Sequence, residues 1–237
     1  MQPRERIALE PAYVLHHREY RDTSRILDVF SESHGRITLF ARGARGPKSK
    51  YASLLMPFRP LLLSWTGRGD AAQMTGAEAG TEAGAEAFAV PAAQVMSAFY
   101  LNELVIRLTT LHDPQPQLFV DYARALRRLG VESQPEAALR VFEKRLLESI
   151  GYGLELDVEE GHHYQFRAGL GFLEVLPDAP GAYAGRTLLA LREESLDDTP
   201  SLDAARRVLR QALDHCLEGR EIRTRTVARS MLRRGSV

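Results

Sequence analysis

Apolar and polar residues alternate in short runs through the first 76 residues, each run closed by a turn, and that pattern leaves few folds open. Tyr13, Leu15 and His17 alternate with Val14 and His16. Ile26, Asp28 and Phe30 alternate with Leu27 and Val29 inside Ser24–Ser31. After the turn Ser33-His34-Gly35-Arg36, the residues Ile37, Leu39 and Ala41 alternate with Thr38, Phe40 and Arg42. Phe58–Trp65 is an apolar run broken by Pro60, and Ala71–Gly76 follows a Gly-Arg-Gly-Asp turn. A period of two is the signature of a strand, and short strands at even spacing predict a small closed sheet. A five-stranded Greek-key barrel, the OB-fold, fits the size. Trp65, the only tryptophan, is expected in its core.

The third run passes into Arg42-Gly43-Ala44-Arg45-Gly46-Pro47-Lys48-Ser49-Lys50. Glycines let a backbone approach a ligand closely, and cations without intervening acids suit a polyanion. Three readings meet here. One is a solvated hairpin loop. Another is a phosphate cradle, which fails: Gly43 and Gly46 stand too close for a P-loop, and Pro47 removes an amide donor. The third is a clamp on a nucleic-acid backbone, with strand faces offering stacking and loops offering charge.

Beyond the barrel, Gly76–Ala87 (GAEAGTEAGAEA) has too little apolar content to bury a face and is expected to be a linker or exposed loop. From Pro91 the period changes to three and four. Val95, Phe99, Leu101, Leu104, Val105 and Leu108 predict one helix, stopped by His112-Asp113-Pro114. Leu118, Tyr122, Ala125, Leu126 and Leu129 predict a second, and Ala138, Val141, Phe142, Leu146 and Ile150 a third, closed by Gly151. Tyr164–Arg167 and Phe172–Leu176 are expected to pair as a hairpin, Arg186–Arg192 and Ser201–Leu217 to be helical, and Arg223–Arg234 to form a last basic helix. The expected class is therefore α+β. An OB-fold spans 1–76, a linker 77–90 and an all-helical domain 91–237, of which 151–184 is a small irregular subdomain.

Composition narrows the function. Charge sums to zero but is segregated: residues 1–70 carry 12 Lys and Arg against 7 Asp and Glu, 91–202 carry 10 against 17, and 203–237 carry 9 against 4. A basic head and tail around an acidic middle point to localised polyanion contacts. The single cysteine, Cys216, excludes an internal disulfide and a cysteine-based zinc site. No eighteen-residue apolar window and no signal-peptide pattern is present, so a cytosolic protein is expected. His16-His17 and His162-His163 do not chelate from one face of a strand, where neighbours point to opposite sides. Ser195 and Ser201 lack a nucleophile-elbow setting, and the paired acids Glu159-Glu160, Glu193-Glu194 and Asp197-Asp198 read as solvated. The expectation is a protein without catalytic residues, metal or cofactor; a hydrolase or transferase hidden in the helical domain is a remote third reading.

Four stretches, in order, resemble the RecO family of bacterial recombination mediators. They are the basic loop Ala41–Ser49, Tyr100-Leu101-Asn102-Glu103-Leu104, Phe142-Glu143-Lys144-Arg145-Leu146-Leu147-Glu148-Ser149-Ile150-Gly151-Tyr152, and Leu217-Glu218-Gly219-Arg220-Glu221-Ile222-Arg223-Thr224-Arg225. Many members carry four cysteines after the Gly-Tyr pair; here 154–171 has none, as in the zinc-free branch. The resemblance implies binding of single- and double-stranded DNA and annealing of complementary strands without ATP. It also implies contact with the C-terminal tail of single-stranded-DNA-binding protein, work with RecR and in some settings RecF, and loading of RecA. The cations expected at DNA are Arg36, Arg42, Arg45, Lys48, Lys50, Arg223 and Arg225, with Tyr13, Tyr20 or Phe40 as stacking candidates. Those expected at the partner tail are Arg124, Arg127, Arg128, Arg140 and Lys144, with Phe119 and Tyr122 near. The alternative on the same barrel is an RNA-binding accessory protein, because a backbone clamp reads the sugar only through a 2′-hydroxyl contact.

Overall fold

The computed structural model describes residues 6–45, 49–67, 69, 72–80, 90–131 and 135–227. They form two compact units, 1–131 with 222–237, and 132–221. The second is thus spliced into the first, its start falling after the second helix.

The first unit is built on β1 (Arg6–Tyr20), β2 (Ser24–Ser31), β3 (Gly35–Ala41), β4 (Leu61–Thr66) and β5 (Gln73–Ala79). They close a barrel in the order β1-β2-β3-β5-β4, with β4 returning to β1. This is the expected OB-fold. Its interior is the set the alternation selects: Ala12, Val14, Leu27, Val29, Ile37, Leu39, Leu61, Leu63 and Trp65 are all nearly inaccessible. Burying each large one is worth about 1.5–3 kcal/mol. β1 is longer than the sequence suggested. β5 runs on to Ala79, because Ala77 and Ala79 pair with Leu63 and Leu61 and Ala77 packs on the core. The segment 76–79 is therefore strand, not linker; 81–89 lies outside the described residues.

The helices α1 (Val95–Leu108) and α2 (Pro116–Val131) belong to this unit. What seats them is a β-bulge. The β1–β2 register passes from Val14↔Val29 to His16↔Asp28, so Leu15 has no partner on β2. A bulge leaves backbone groups in need of bonds. The Leu15 carbonyl accepts from Asn102 Nδ2 at 2.7 Å, and Asn102 Oδ1 accepts from the Tyr122 hydroxyl at 2.5 Å. One buried amide thus ties strand, first helix and second helix together. Tyr13 and Phe30, neighbours across the strands, pack their rings on Phe119 and Tyr122. Burial raises the Tyr122 hydroxyl well above the ordinary phenol value.

The second unit holds α3 (Pro135–Ser149), a three-stranded sheet of β6 (His163–Arg167), β7 (Gly171–Val175) and β8 (Tyr183–Ala184), then α4 (Gly185–Glu193) and α5 (Thr199–Cys216). Gly151, at φ +81°, ends α3: the Tyr152 amide donates back to the Leu147 carbonyl and Gly151 to Glu148, a left-handed cap that glycine adopts freely. The cysteine-free hairpin is held by Phe166 packed across the strands on Phe172, ring centres 5.1 Å apart, and by the Glu159 amide donating to the Tyr164 hydroxyl.

Candidate nucleic-acid interface

Two chain segments meet at one end of the barrel: the turn Arg21-Asp22-Thr23 joining β1 to β2, and the basic loop leaving β3. The Arg45 amide donates to the Thr23 carbonyl at 3.0 Å, which fastens loop to turn. Ala44 and Leu55 are fully buried against the barrel core, plugging its end. With Ala44 inward, Arg42 and Arg45 on either side of it are exposed. Ser49 Oγ donates to the Gly43 carbonyl across the loop, and Arg25 donates to the Ala52 carbonyl. The loop is pinned on both flanks, with Arg42, Arg45 and Lys50 exposed.

Arg45 pairs with Glu19 at 3.0 Å, both largely exposed. Such a pair contributes little, about 0–1 kcal/mol, and a phosphate can take the guanidinium from it. Lys50 lies over the Tyr51 ring, 4.9 Å from its centre. Arg18 and Arg21, on the hairpin, are exposed at the same end. They and Arg25 were missed from sequence because Glu19 and Asp22 interrupt them; only strand pairing gathers them beside Arg42 and Arg45. His17 lies between, its Nδ1 buried without a partner. Burial first, then the Arg25 guanidinium and His16, hold its pKa below the ordinary imidazole value.

Other expected site residues fall elsewhere. Arg36 reaches back to α1, its Nε donating to Thr109 Oγ1 and a terminal nitrogen to the Thr109 carbonyl. Burial lowers its pKa from the ordinary arginine value, against the opposite pull of Asp28. It fastens helix to strand rather than standing in the loop's cation cluster. Lys48 lies outside the described residues. Of the stacking candidates, Tyr13 is buried under α2, whereas Tyr20 is exposed and Phe40 half-exposed beside it.

The chain's return, at 222–227, is clasped by one carboxylate. Glu103 accepts from the Arg223 and Thr224 amides and the Thr224 hydroxyl at 2.8–2.9 Å, and from Arg107 at 3.3 Å. Burial alone would raise its pKa, but these bonds together bring it below the usual carboxylate value. Arg225 stacks on the Tyr100 ring and donates to its hydroxyl. Arg223 is exposed and Arg225 half-exposed. Residues 228–234 of the expected basic helix lie outside the described residues.

The expected partner-tail cations divide between the units. Arg124 and Arg127 are exposed on α2, Arg124 beside Asp121. Arg127 lines a cleft of about 240 Å³ with Pro11, Leu62, Phe119, Val120 and Ala123. Arg128 is half-exposed on the same helix. Arg140 is buried and paired with Glu143, and Lys144 bridges Glu148 and Glu194. Glu194 also accepts from Arg145 Nε and one of its terminal nitrogens, and that bidentate pairing, ahead of the opposing effect of burial, lowers its pKa. Arg140 and Lys144 are thus committed within their own unit, which the sequence did not reveal.

Among the described residues, no group of three His, Cys, Asp or Glu side chains is placed to hold a metal ion, and no helix is long and apolar enough to cross a membrane. Family models described as recombination protein O, N terminal and C terminal, match residues 6–80 and 93–226. The protein named DNA repair protein RecO from Methylococcus capsulatus is 41% identical over 233 residues, covering 95% of this chain and 94% of its own. Its namesakes from Azoarcus and Nitrosococcus oceani are 37% and 40% identical over 245 aligned positions, each spanning 98% of this chain and at least 97% of its own length. With a five-stranded barrel and a helical part in the same order, the chain belongs to the RecO family.

Proposed function

We propose that this protein is a DNA repair and recombination mediator. It binds single- and double-stranded DNA at the loop end of its barrel and anneals complementary strands without ATP. The observation that carries the reading is the convergence of Arg18, Arg21, Arg42, Arg45 and Lys50 from two segments onto one barrel end. Annealing holds two phosphate backbones close together, so their repulsion must be screened. Exposed cations do this by releasing counterions, with a salt slope of about −0.7 per phosphate contact on a single strand. Arg223 and Arg225, fastened to α1, are a second place for phosphate. The chemistry is binding alone, with no catalytic group and no cofactor.

The partner reading rests on the cleft at Arg127. An apolar-ended acidic tail, such as that of single-stranded-DNA-binding protein, needs an apolar slot rimmed by cations. Phe119, Val120 and Ala123 line the cleft, and Arg124, Arg127 and Arg128 lie on the same helix. Displacing that protein while keeping the strand is what loading of RecA, with RecR and in some settings RecF, requires. Such work belongs at the chromosome, in the cytoplasm.

The test is annealing of complementary oligonucleotides coated with single-stranded-DNA-binding protein, without ATP, for wild type and Arg42→Ala/Arg45→Ala/Lys50→Ala. Acceleration by wild type alone supports the reading. The variant's binding should also lose about two units of salt slope, three contacts at about 0.7 each. No acceleration by either protein, with tighter binding to RNA than to DNA of equal length, would replace it by the RNA reading. A cleft variant, Arg127→Glu, is expected to lose acceleration on coated strands and keep it on bare ones.

A further inference from the structure

The outer face of β1–β3 near the hairpin carries two rings that the barrel core does not use. Register puts Arg18 opposite Ile26 and Ile26 opposite Phe40, with Tyr20 opposite Ser24, so these side chains share one face. The helix contacts to this sheet fall at Tyr13, Leu15, Phe30 and Arg36, toward the other end of the strands. Tyr20 remains 36% exposed. Its ring meets Phe40 at 74°, centres 5.5 Å apart, so the two planes make a corner. Over the Tyr20 ring, 5.2 Å from its centre, stands the Arg21 guanidinium. Arg21 has φ +52°, a left-handed conformation that costs a non-glycine residue energy and is held here by the turn.

We propose that this corner is a stacking site for one unpaired nucleobase, and that it makes the barrel end discriminate single strands from duplex. The inference rests on the DNA-binding reading above. A guanidinium and a base are both flat groups that lie on an aromatic face, so Arg21 fills the place of the base when no strand is bound. On binding, the base takes the Tyr20 face and the freed guanidinium turns to the adjoining phosphate. Bases in a duplex are already stacked and have no face to offer a strand surface. The loop cations Arg42, Arg45 and Lys50 contact backbone of either kind and carry no such preference. Stacking accepts any base, as a mediator acting on arbitrary sequence requires.

The test compares wild type, Tyr20→Leu, Tyr20→Phe and Arg42→Ala/Arg45→Ala/Lys50→Ala on a single-stranded oligonucleotide carrying one 2-aminopurine and on a blunt duplex of equal length. Tyr20→Leu should weaken single-strand binding about tenfold, the scale of one base–aromatic stack. It should leave duplex binding and the salt slope unchanged and abolish the 2-aminopurine quench. Tyr20→Phe should keep all three properties, and the triple variant should weaken both substrates. Because Tyr20 is exposed, unchanged Trp65 fluorescence will verify that Tyr20→Leu is folded. Equal weakening of single strand and duplex by Tyr20→Leu, or no weakening of either, overturns the stacking site while the DNA reading stands. Failure of wild type to bind either substrate overturns both.

Discussion

The buried amide at the β1 bulge sets a quantitative test of how the first unit is assembled. Asn102 is 2% exposed and makes two bonds, donating to Leu15 and accepting from Tyr122. Asn102→Leu keeps the side chain's approximate volume and removes both. A buried carbonyl deprived of its donor costs about 1–3 kcal/mol, and the Tyr122 bond adds about 1 kcal/mol, so the expected loss is about 2–4 kcal/mol. Tyr122→Phe removes only the second bond, at about 1–2 kcal/mol. In the double variant that bond is lost once, not twice. The cost should therefore fall short of the sum by about 1 kcal/mol, the coupling of contacting residues. The assay is urea unfolding followed by Trp65, which sits 4% exposed in the barrel core and reports this unit. Costs that add to within about 0.3 kcal/mol would refute the network, since independent sites behave that way. A loss under about 1 kcal/mol for Asn102→Leu would refute the claim that the bulge carbonyl depends on it.

Three further outcomes follow from individual contacts. Glu103→Gln keeps the shape of the clasp but removes the charge that its donors favour, and should cost about 1–2 kcal/mol in urea unfolding. Because the folded-state pKa of Glu103 is lowered, its contribution is present above the unfolded carboxylate value and is lost as pH falls through the folded one; Tm of the variant should therefore fall less than that of wild type between pH 5 and pH 3. Gly35→Ala should destabilise the first unit by more than about 2 kcal/mol, because a Cβ there would stand 1.9 Å from the Asp113 carbonyl oxygen at φ +63°; unchanged Tm would contradict that packing. Lys144→Ala should lower stability by about 1 kcal/mol through its contacts with Glu194 and Glu148 and leave affinity for a partner tail unchanged, as isothermal titration would show.

The barrel strands were legible because a closed sheet enforces the alternation that names them; Leu27, Val29, Ile37, Leu39, Leu61, Leu63 and Trp65 are inward as their spacing requires. The helices were legible from their period. Which surface each covers was not. An amphipathic stripe states that a face is buried, not against what, and the partner of Tyr122 is decided by a bulge at Leu15 that no local pattern marks. The loop was legible as a run of cations, but its hairpin half was not, because Arg18, Arg21 and Arg25 are diluted by Glu19 and Asp22 along the chain. Arg140 and Lys144 misled for the converse reason: close in sequence to other cations, they are spent on Glu143, Glu148 and Glu194.

The stretches that carry the family resemblance are mostly fasteners. Tyr100 holds Arg225, Asn102 the bulge, Glu103 the returning chain, and Gly151 and Tyr152 the end of α3. The loop stretch, by contrast, turns Arg42 and Arg45 to solvent. On the proposed reading, segregated charge is what lets a chain of zero net charge serve a polyanion. The first unit carries 21 Lys and Arg against 13 Asp and Glu, and the second 10 against 18, formal charges of +8 and −8. Within about a Debye length, roughly 8 Å at physiological salt, a phosphate chain responds to the local excess and not to the total. On the proposed reading, a strand is therefore drawn to the unit that carries the net positive charge.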